Sequence, residues 1–120
     1  MTANPRPRVF VCARVRPSQP GDGLPVADAT RLEVYADAAM LDSINMGEAP
    51  FPWPGLSRVL DDATPDDRAA ALAVCLTWLA AADRVAVYVD LGVSAGMLGE
   101  IERAHALKIP VEVRSINILT

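Results

Sequence analysis

Three short runs rich in β-branched residues constrain the fold of this chain more than any other feature. They are RVFVCA at Arg8–Ala13, RVAVYVD at Arg84–Asp90 and IPVEVRSINI at Ile109–Ile118, the last of which we expect to hold one or two strands. Near-continuous apolar runs of this length are typical of strands buried on both faces, as in parallel sheets. Parallel neighbours require a long crossover between them, usually a helix. The sequence therefore predicts strands that alternate with helices.

Two of the predicted helices are recognised by the spacing of their apolar residues. The first runs from Val26 to about Met46 and is stopped by Gly47, since glycine readily ends a helix. The last runs from about Ala95 to Leu107. On a helical wheel, its buried face is expected to consist of Met97, Leu98, Ile101, Ala104 and Leu107.

The helix between them begins with a strong signal. Thr64 is expected to cap it and Pro65 to be its first residue. Asp66 and Asp67 fill the first turn, where the helix dipole favours anions. The helix continues through RAAALAVCLTWLAAA, which is apolar almost throughout. We therefore expect it to be deeply packed, with Trp78 in the core.

Together these elements predict a single domain over residues 1–120. Its expected fold class is α/β, a three-layer sandwich with a small, mainly parallel central sheet of the Rossmann or flavodoxin-like type. The proline-rich stretch EAPFPWPGLSRVLDD holds at most a short edge strand. In such sheets, ligands bind beyond the carboxyl ends of the strands. That rule points to the loop after Cys12 and to the turn after Asp90.

Composition and charge narrow the classes of function. The net charge is −4 and the pI about 4.8, without a basic patch, so we expect no nucleic-acid partner. No apolar stretch approaches the roughly 20 residues of a membrane span, and the N-terminus lacks the pattern of a signal peptide. Cys12 and Cys75 are expected to be buried thiols in a reducing compartment, which predicts a cytoplasmic protein. No residues have metal-ligand spacing, and we expect neither a metal nor another cofactor.

The turn DLGVSAGMLGEIERA, residues 90–104, carries the main candidate site. Gly92 and Gly96 permit a positive φ or a close backbone approach. Ser94 is a natural helix cap, and the backbone N–H groups just after it form a site for a phosphate or a carboxylate. The alternative is an ordinary capped helix whose glycines serve packing.

Glu100 lies in the second turn of that helix, at the edge of the predicted buried face. From there its carboxylate could reach over the end of the sheet. The alternative is an exposed glutamate that pairs with Arg103 three residues on, a common and weak interaction.

Other side chains give weaker signals. Arg14 and Arg16 could hold a phosphate. His105, near the buried face of the last helix, is expected to pack rather than to catalyse. Trp53 either stacks on a base or covers the sheet edge. Asp83 is expected to have a structural role.

Four segments carry a resemblance to a known family: RVFVCA, DDATPDDR, AADRVAVYVD and SAGMLGEIERAHALKIPVEV. With these the sequence resembles the nucleoside 2-deoxyribosyltransferase-like superfamily, which includes transferases and nucleoside 5'-monophosphate N-glycoside hydrolases. The S-x-G-x-x-x-E pattern from Ser94 to Glu100 matches the nucleophile motif of that family. The resemblance implies that Glu100 attacks the anomeric carbon of the sugar and releases the base. At the position of Ser94 the transferases carry an aspartate, whereas the monophosphate hydrolases carry a serine that binds the phosphate. The resemblance therefore also implies a phosphate-binding role for Ser94.

The sequence departs from the family at two places. Relatives place an aspartate eight residues before the position of Asp83, where this chain has Cys75. The first strand is followed by ARVRPSQPGDG, without the family's aromatic hydroxyl. Asp90, or the pair Asp61 and Asp62, could substitute for the missing carboxylate.

The function that the resemblance implies is hydrolysis of the N-glycosidic bond of a (deoxy)nucleoside 5'-monophosphate. The catalytic residue would be Glu100, and the ligand-binding residues would be Ser94, Gly96, Met97, Arg14, Arg16 and Asp90. One alternative is a non-catalytic module that binds or senses a nucleotide, and others are a deoxyribosyltransferase and a purely structural interaction domain. Relatives are symmetric oligomers, and the apolar second helix could be an interface, so we expect at least a homodimer.

Overall fold

The computed structural model describes residues 5–51, 60 and 64–117 of the chain. Strands and helices alternate as the sequence predicts. The chain order is β1 (Arg8–Cys12), α1 (Ala29–Asn45), β2 (Ala49–Pro50), α2 (Pro65–Leu79), β3 (Arg84–Tyr88), α3 (Ala95–Ala106) and β4 (Val111–Arg114). Trp53, Asp61 and Asp62 lie outside the described residues, so the predictions made for them are not tested by the structure.

The four strands form one sheet in the order β2-β1-β3-β4, and every pair is parallel. The strands β1 and β3, both predicted to be buried, are its centre, with Cys12 opposite Val87. The two-residue β2 contains Pro50 and lies at the edge, where the missing N–H of proline is tolerated. The α/β fold class and the parallel sheet are thus confirmed.

The sheet is covered on both faces, which gives three layers. On one face, Val9, Val11 and Tyr88 pack with the buried residues of α1. On the other, alternate residues of the same strands, such as Phe10 and Cys12, pack with α2 and α3. This division follows from the period of two along a strand.

The helix starts agree with the sequence. The Thr64 side chain accepts a hydrogen bond from the Asp67 amide, and Pro65 is the first residue of α2. At the end of α1, Gly47 takes a φ of +84° and donates from its amide to the Ile44 carbonyl. Asp83 also has the expected structural role, because its carboxylate accepts the Arg8 amide at 2.7 Å and holds the start of β1.

The prediction that α2 is deeply packed is wrong for the described part of the chain. Only Leu79 is fully buried along this helix, whereas Leu72 is 49 % exposed. Trp78 is 55 % exposed and outside the core, with its ring stacked on Phe51 at 5.4 Å between centroids. A helix that is apolar all round has no amphipathic stripe, so its sequence could not indicate which side meets the sheet.

The buried face of α3 is narrower than predicted. Met97 and Ala104 are fully buried, but Leu98 and Leu107 are exposed. His105 is also exposed in the last turn, so its predicted packing role is wrong. Among the helices that the structure describes, none combines the length and the apolar character needed to cross a membrane.

Candidate functional site

A cavity of about 250 Å³ opens at the carboxyl ends of β1 and β3. The loop after Cys12 and the turn after Asp90 were predicted to hold a ligand, and both contribute to its wall. The β1 side supplies an apolar surface that includes Ala13, Val15 and Pro17. The helices α2 and α3 supply the polar side chains, which are Asp67, Cys75, Ser94 and Glu100.

The start of α3 lies at this cavity, which Ser94, Gly96 and Met97 line. The Ser94 hydroxyl oxygen caps the helix by accepting from the Met97 amide at 3.3 Å. The amides of Ala95 and Gly96 precede the first intrahelical bond, and no hydrogen bond within the described part of the chain uses them. A Cβ on Gly96 would meet only the Ser94 hydroxyl, 4.0 Å away. Glycine therefore leaves open space above donors that suit an anion.

Gly92 shapes the turn that leads to this helix. Its φ is +90°, and a Cβ there would lie 3.0 Å from the Leu24 side chain and 3.1 Å from that of Pro25. Both reasons given for this glycine, positive φ and close approach, are confirmed. The turn after β3 thus packs closely against the loop that follows β1. Residues of both segments line one side of the cavity.

Glu100 is partly buried and lines the cavity. Its Oε1 accepts a hydrogen bond from the Cys12 thiol at 3.5 Å. Burial raises the pKa of this carboxyl to about 7, although the bond from Cys12 acts in the opposite direction. The ion pairs of the described residues include none between Glu100 and Arg103, so the surface-pair alternative does not apply.

The α2 wall of the cavity is a stripe of residues four apart: Asp67, Ala71 and Cys75. Burial raises the pKa of the Cys75 thiol to about 11, so it stays neutral at physiological pH. Asp67 is the residue that the sequence interpretation missed. Its first-turn position was explained by the helix dipole, although it lies two turns before Cys75 on the cavity side of the helix. That spacing was the available signal.

Arg14 is not brought into the cavity. It is 1 % exposed, and its guanidinium donates to the carbonyls of Arg16, Pro25 and Leu91 and to the Ser18 hydroxyl. These bonds fix the loop after β1 against the turn after β3. Arg16 is exposed and does not line the cavity. The expected phosphate contact therefore cannot come from Arg14 in this arrangement.

Asp90 also serves the fold rather than the cavity. Its carboxylate accepts hydrogen bonds from the Tyr35 and Ser115 hydroxyls and from the amides of Ile116 and Asn117. Burial by itself would raise the pKa of this carboxyl, but the four donors together lower it. Of the seven predicted site residues, the structure thus brings four together at the cavity: Ser94, Gly96, Met97 and Glu100.

Metal ligation has no candidate in the described structure, since no group of three or more His, Cys, Asp or Glu within residues 5–51, 60 and 64–117 is placed to hold an ion.

Comparison with known proteins assigns a family. Residues 7–114 match the model of the family described as "Domain of unknown function (DUF7768)", and the chain belongs to that family. Among solved structures, it is similar to the 2-deoxyribosyltransferase of the psychrotolerant bacterium Bacillus psychrosaccharolyticus, with a TM-score of 0.63 and 14 % identity. That match covers 94 % of this chain and 77 % of the transferase chain, and it shows a shared deoxyribosyltransferase-like fold. No curated protein sequence matches the chain.

Proposed function

We propose that this protein hydrolyses the N-glycosidic bond of a (deoxy)nucleoside 5'-monophosphate, with Glu100 as the nucleophile. The observation that carries the proposal is that Glu100 shares one small cavity with the open start of α3. The partly buried carboxylate suits the anomeric carbon of a phosphorylated sugar. The anion site in the same cavity suits its 5'-phosphate. The mainly apolar β1 wall suits the flat face of a base.

In this reaction the Glu100 carboxylate attacks the anomeric carbon of the sugar. The carbon–nitrogen bond breaks, its electron pair stays on the base nitrogen, and a glycosyl ester of Glu100 forms. Water then attacks the anomeric carbon, gives up a proton and releases the sugar 5'-phosphate together with the free carboxylate. Glu100 must be ionised for the first step, so the rate of base release should rise with pH through about 7.

The departing base needs a proton, and Asp67 is the second carboxyl group in the cavity. We assign to Asp67 the transfer of that proton from solvent water to the base nitrogen, and the uptake of the proton that the attacking water gives up in the second step. It would act in place of the carboxylate that relatives have at the position of Cys75. Asp66 provides a matched control, because it lies in the same first turn of α2 but does not line the cavity. Asp67→Asn should slow base release, and a substrate with a better leaving group should regain part of that loss, whereas Asp66→Asn should do neither.

The phosphate is assigned to the Ser94 hydroxyl and to the amides of Ala95 and Gly96. Several N–H groups that converge at a helix start, with the favourable end of the helix dipole, bind such an anion without an arginine. This assignment replaces the phosphate contact that the sequence predicts for Arg14.

Chromatography of nucleoside 5'-monophosphates incubated with the protein tests the proposal. The panel contains ribo- and deoxyribonucleotides of each base, and Glu100→Ala and Glu100→Gln are run in parallel. Free base from the wild type alone is the expected result. Base release that persists in either variant would contradict the role of Glu100.

A non-catalytic nucleotide-binding module is the second candidate, and Cys75 favours it, because a neutral thiol stands where relatives have a carboxylate. This candidate predicts saturable thermal stabilisation without product. A ligand at 100 times its Kd adds about 2.7 kcal/mol to the free energy of unfolding. Product formation from any nucleotide would exclude it.

A transferase is the third candidate, favoured by the similarity to a 2-deoxyribosyltransferase. It is separated from the hydrolase by adding a second free base to the reaction. Formation of a new nucleoside or nucleotide would indicate transfer, and free sugar phosphate would indicate hydrolysis.

Assembly is proposed through the exposed apolar residues of α2. Leu72, Val74 and Trp78 are large and exposed, Leu72 at 49 % and Trp78 at 55 %, and they leave apolar surface on more than one side of the helix. We propose a homodimer or larger homo-oligomer in the cytoplasm, where Cys12 and Cys75 stay reduced. Light scattering at micromolar concentration should give at least a dimer, and Leu72→Glu should give a monomer. A monomeric wild type would contradict this assembly.

A further inference from the structure

Cys12 makes a hydrogen bond to Glu100, the proposed nucleophile. It is the last residue of β1 and is 1 % exposed. Its Sγ is 3.5 Å from Oε1 of Glu100 and 3.9 Å from the Met97 carbonyl oxygen. Within residues 5–51, 60 and 64–117, no other hydrogen bond or ion pair reaches the Glu100 carboxylate. The thiol is therefore the one polar group of the described chain that holds this carboxylate in place.

We propose that Cys12 is a positioning residue for Glu100, whose thiol anchors Oε1 and leaves Oε2 to react in the cavity. This inference rests on the proposed function of Glu100. A glutamate has three side-chain torsions, and anchoring one carboxylate oxygen restricts them all. Because the anchor belongs to a central strand paired on both sides, its backbone is held in place by the hydrogen bonds of the sheet.

The chemistry of a thiol suits this position. A thiol is a weak hydrogen-bond donor, so it orients the carboxylate with less loss of its basicity than a hydroxyl or a cation would cause. Burial, followed by the nearby Glu100 charge, raises the pKa of the Cys12 thiol well above its ordinary value. The sulfur therefore keeps its proton, and Cys12 remains a donor throughout the pH range in which Glu100 titrates.

Other titratable groups also surround Glu100. They are Cys75 and Asp67, which line the cavity from α2. Glu100 raises the pKa of the Cys75 thiol through space, after the larger effect of burial, but no hydrogen bond joins the two side chains among the described contacts. Cys12 therefore differs from Cys75 in that its thiol makes a hydrogen bond to Glu100.

Three substitutions at Cys12 separate the effect of losing the hydrogen-bond donor from the effect of losing packing. Cys12→Ala and Cys12→Val both remove the donor, but the first leaves space and the second fills it. Cys12→Ser keeps a donor. Val85→Ala, in the same apolar layer and away from the cavity wall, controls for lost packing alone.

The Glu100 pKa is measured by carbon NMR of its carboxyl group, and the pH profile of kcat/KM for base release is measured on the same variants. Both donor-free variants should raise the Glu100 pKa and move the acid limb of the profile to higher pH, since the bond from Cys12 lowers that pKa. Their kcat should fall roughly tenfold or more with little change in KM, because the reacting oxygen is less well held. Cys12→Ser should keep the Glu100 pKa at or below its wild-type value, and Val85→Ala should leave it unchanged.

An unchanged Glu100 titration in both donor-free variants would overturn the proposal. A rise in pKa in the Val85→Ala control as large as that in the Cys12 variants would also overturn it. The NMR titration does not require turnover. If the wild type released no base, the proposed hydrolase would fail, while the titration would still decide whether Cys12 controls Glu100.

Discussion

Replacing Glu100 by glutamine should stabilise the protein at neutral and alkaline pH. Burial raises the pKa of this carboxyl from 4.5 to about 7, so the folded state holds a proton that the unfolded state has already released between these values. Stability therefore falls as pH rises through this window. A rise of this pKa from 4.5 to about 7 corresponds to a loss of about 3 kcal/mol in the free energy of unfolding.

Glutamine keeps the shape of the side chain and cannot ionise. At pH 4 the wild type and Glu100→Gln should have similar stability, because the wild-type carboxyl is then mostly neutral in both states. At pH 8 the variant should be more stable by up to about 3 kcal/mol. For a domain of this size, that difference raises Tm by about 10 °C.

Urea unfolding followed by tryptophan fluorescence at pH 4 to 8 measures this difference, at one protein concentration throughout. Glu102→Gln, on the exposed side of α3, is the control for removing a surface charge. Its stability difference from the wild type should not grow across the same window. A difference between wild type and Glu100→Gln that does not change with pH, or a variant that is less stable at pH 8, would refute the reasoning.

Three further substitutions give distinct expectations. Gly92→Ala should cost about 1–3 kcal/mol in urea unfolding, because an L side chain would be strained at a φ of +90° and would press on Leu24. Gly96→Ala should leave the fold intact or stabilise it by up to about 1 kcal/mol. It should nevertheless weaken nucleotide binding in calorimetry, since the methyl group enters the cavity; unchanged affinity would exclude Gly96 from the site. Arg114→Met should cost about 3 kcal/mol, because the 3 %-exposed Glu48 carboxylate loses its bidentate partner but keeps its ion pair with Arg84 at 3.3 Å. If the free energy of unfolding fell by less than about 1 kcal/mol, water would have to solvate the Glu48 carboxylate in the variant, which would contradict this expectation.

The parts of the fold that could be predicted from sequence are those with a local physical cause. The central strands were recognisable because burial on both faces demands continuous apolar runs. The helix starts at Thr64 and Ser94 were recognisable because the cap hydroxyl and the residues it serves are close in the chain. Gly92 and Gly47 were recognisable because each takes a positive φ that few other residues accept.

The errors concern contacts between segments distant in the chain. The guanidinium of Arg14 binds carbonyls at Pro25 and Leu91, and nothing near Arg14 in the sequence indicates those acceptors. The four donors to Asp90 come from positions 25 or more residues away. Both residues have the side-chain type and the position in the sequence that are typical of ligand-binding groups. In the fold, however, their hydrogen bonds join segments that are distant in the chain. Asp67 is the converse case, because the helix dipole sufficed to explain it locally, whereas its place in the cavity depends on how α2 packs on the sheet.

The proposed role of Glu100 in breaking a glycosidic bond can be tested by comparing base release by two proteins. Wild type and Glu100→Gln are incubated with the panel of nucleoside 5'-monophosphates at pH 8, and free base is quantified over time by chromatography. Base release is expected from the wild type with at least one nucleotide, and none above background from the variant, even though the variant should be the more stable protein at this pH. Equal release by both proteins, or none by the wild type from any nucleotide, would contradict it.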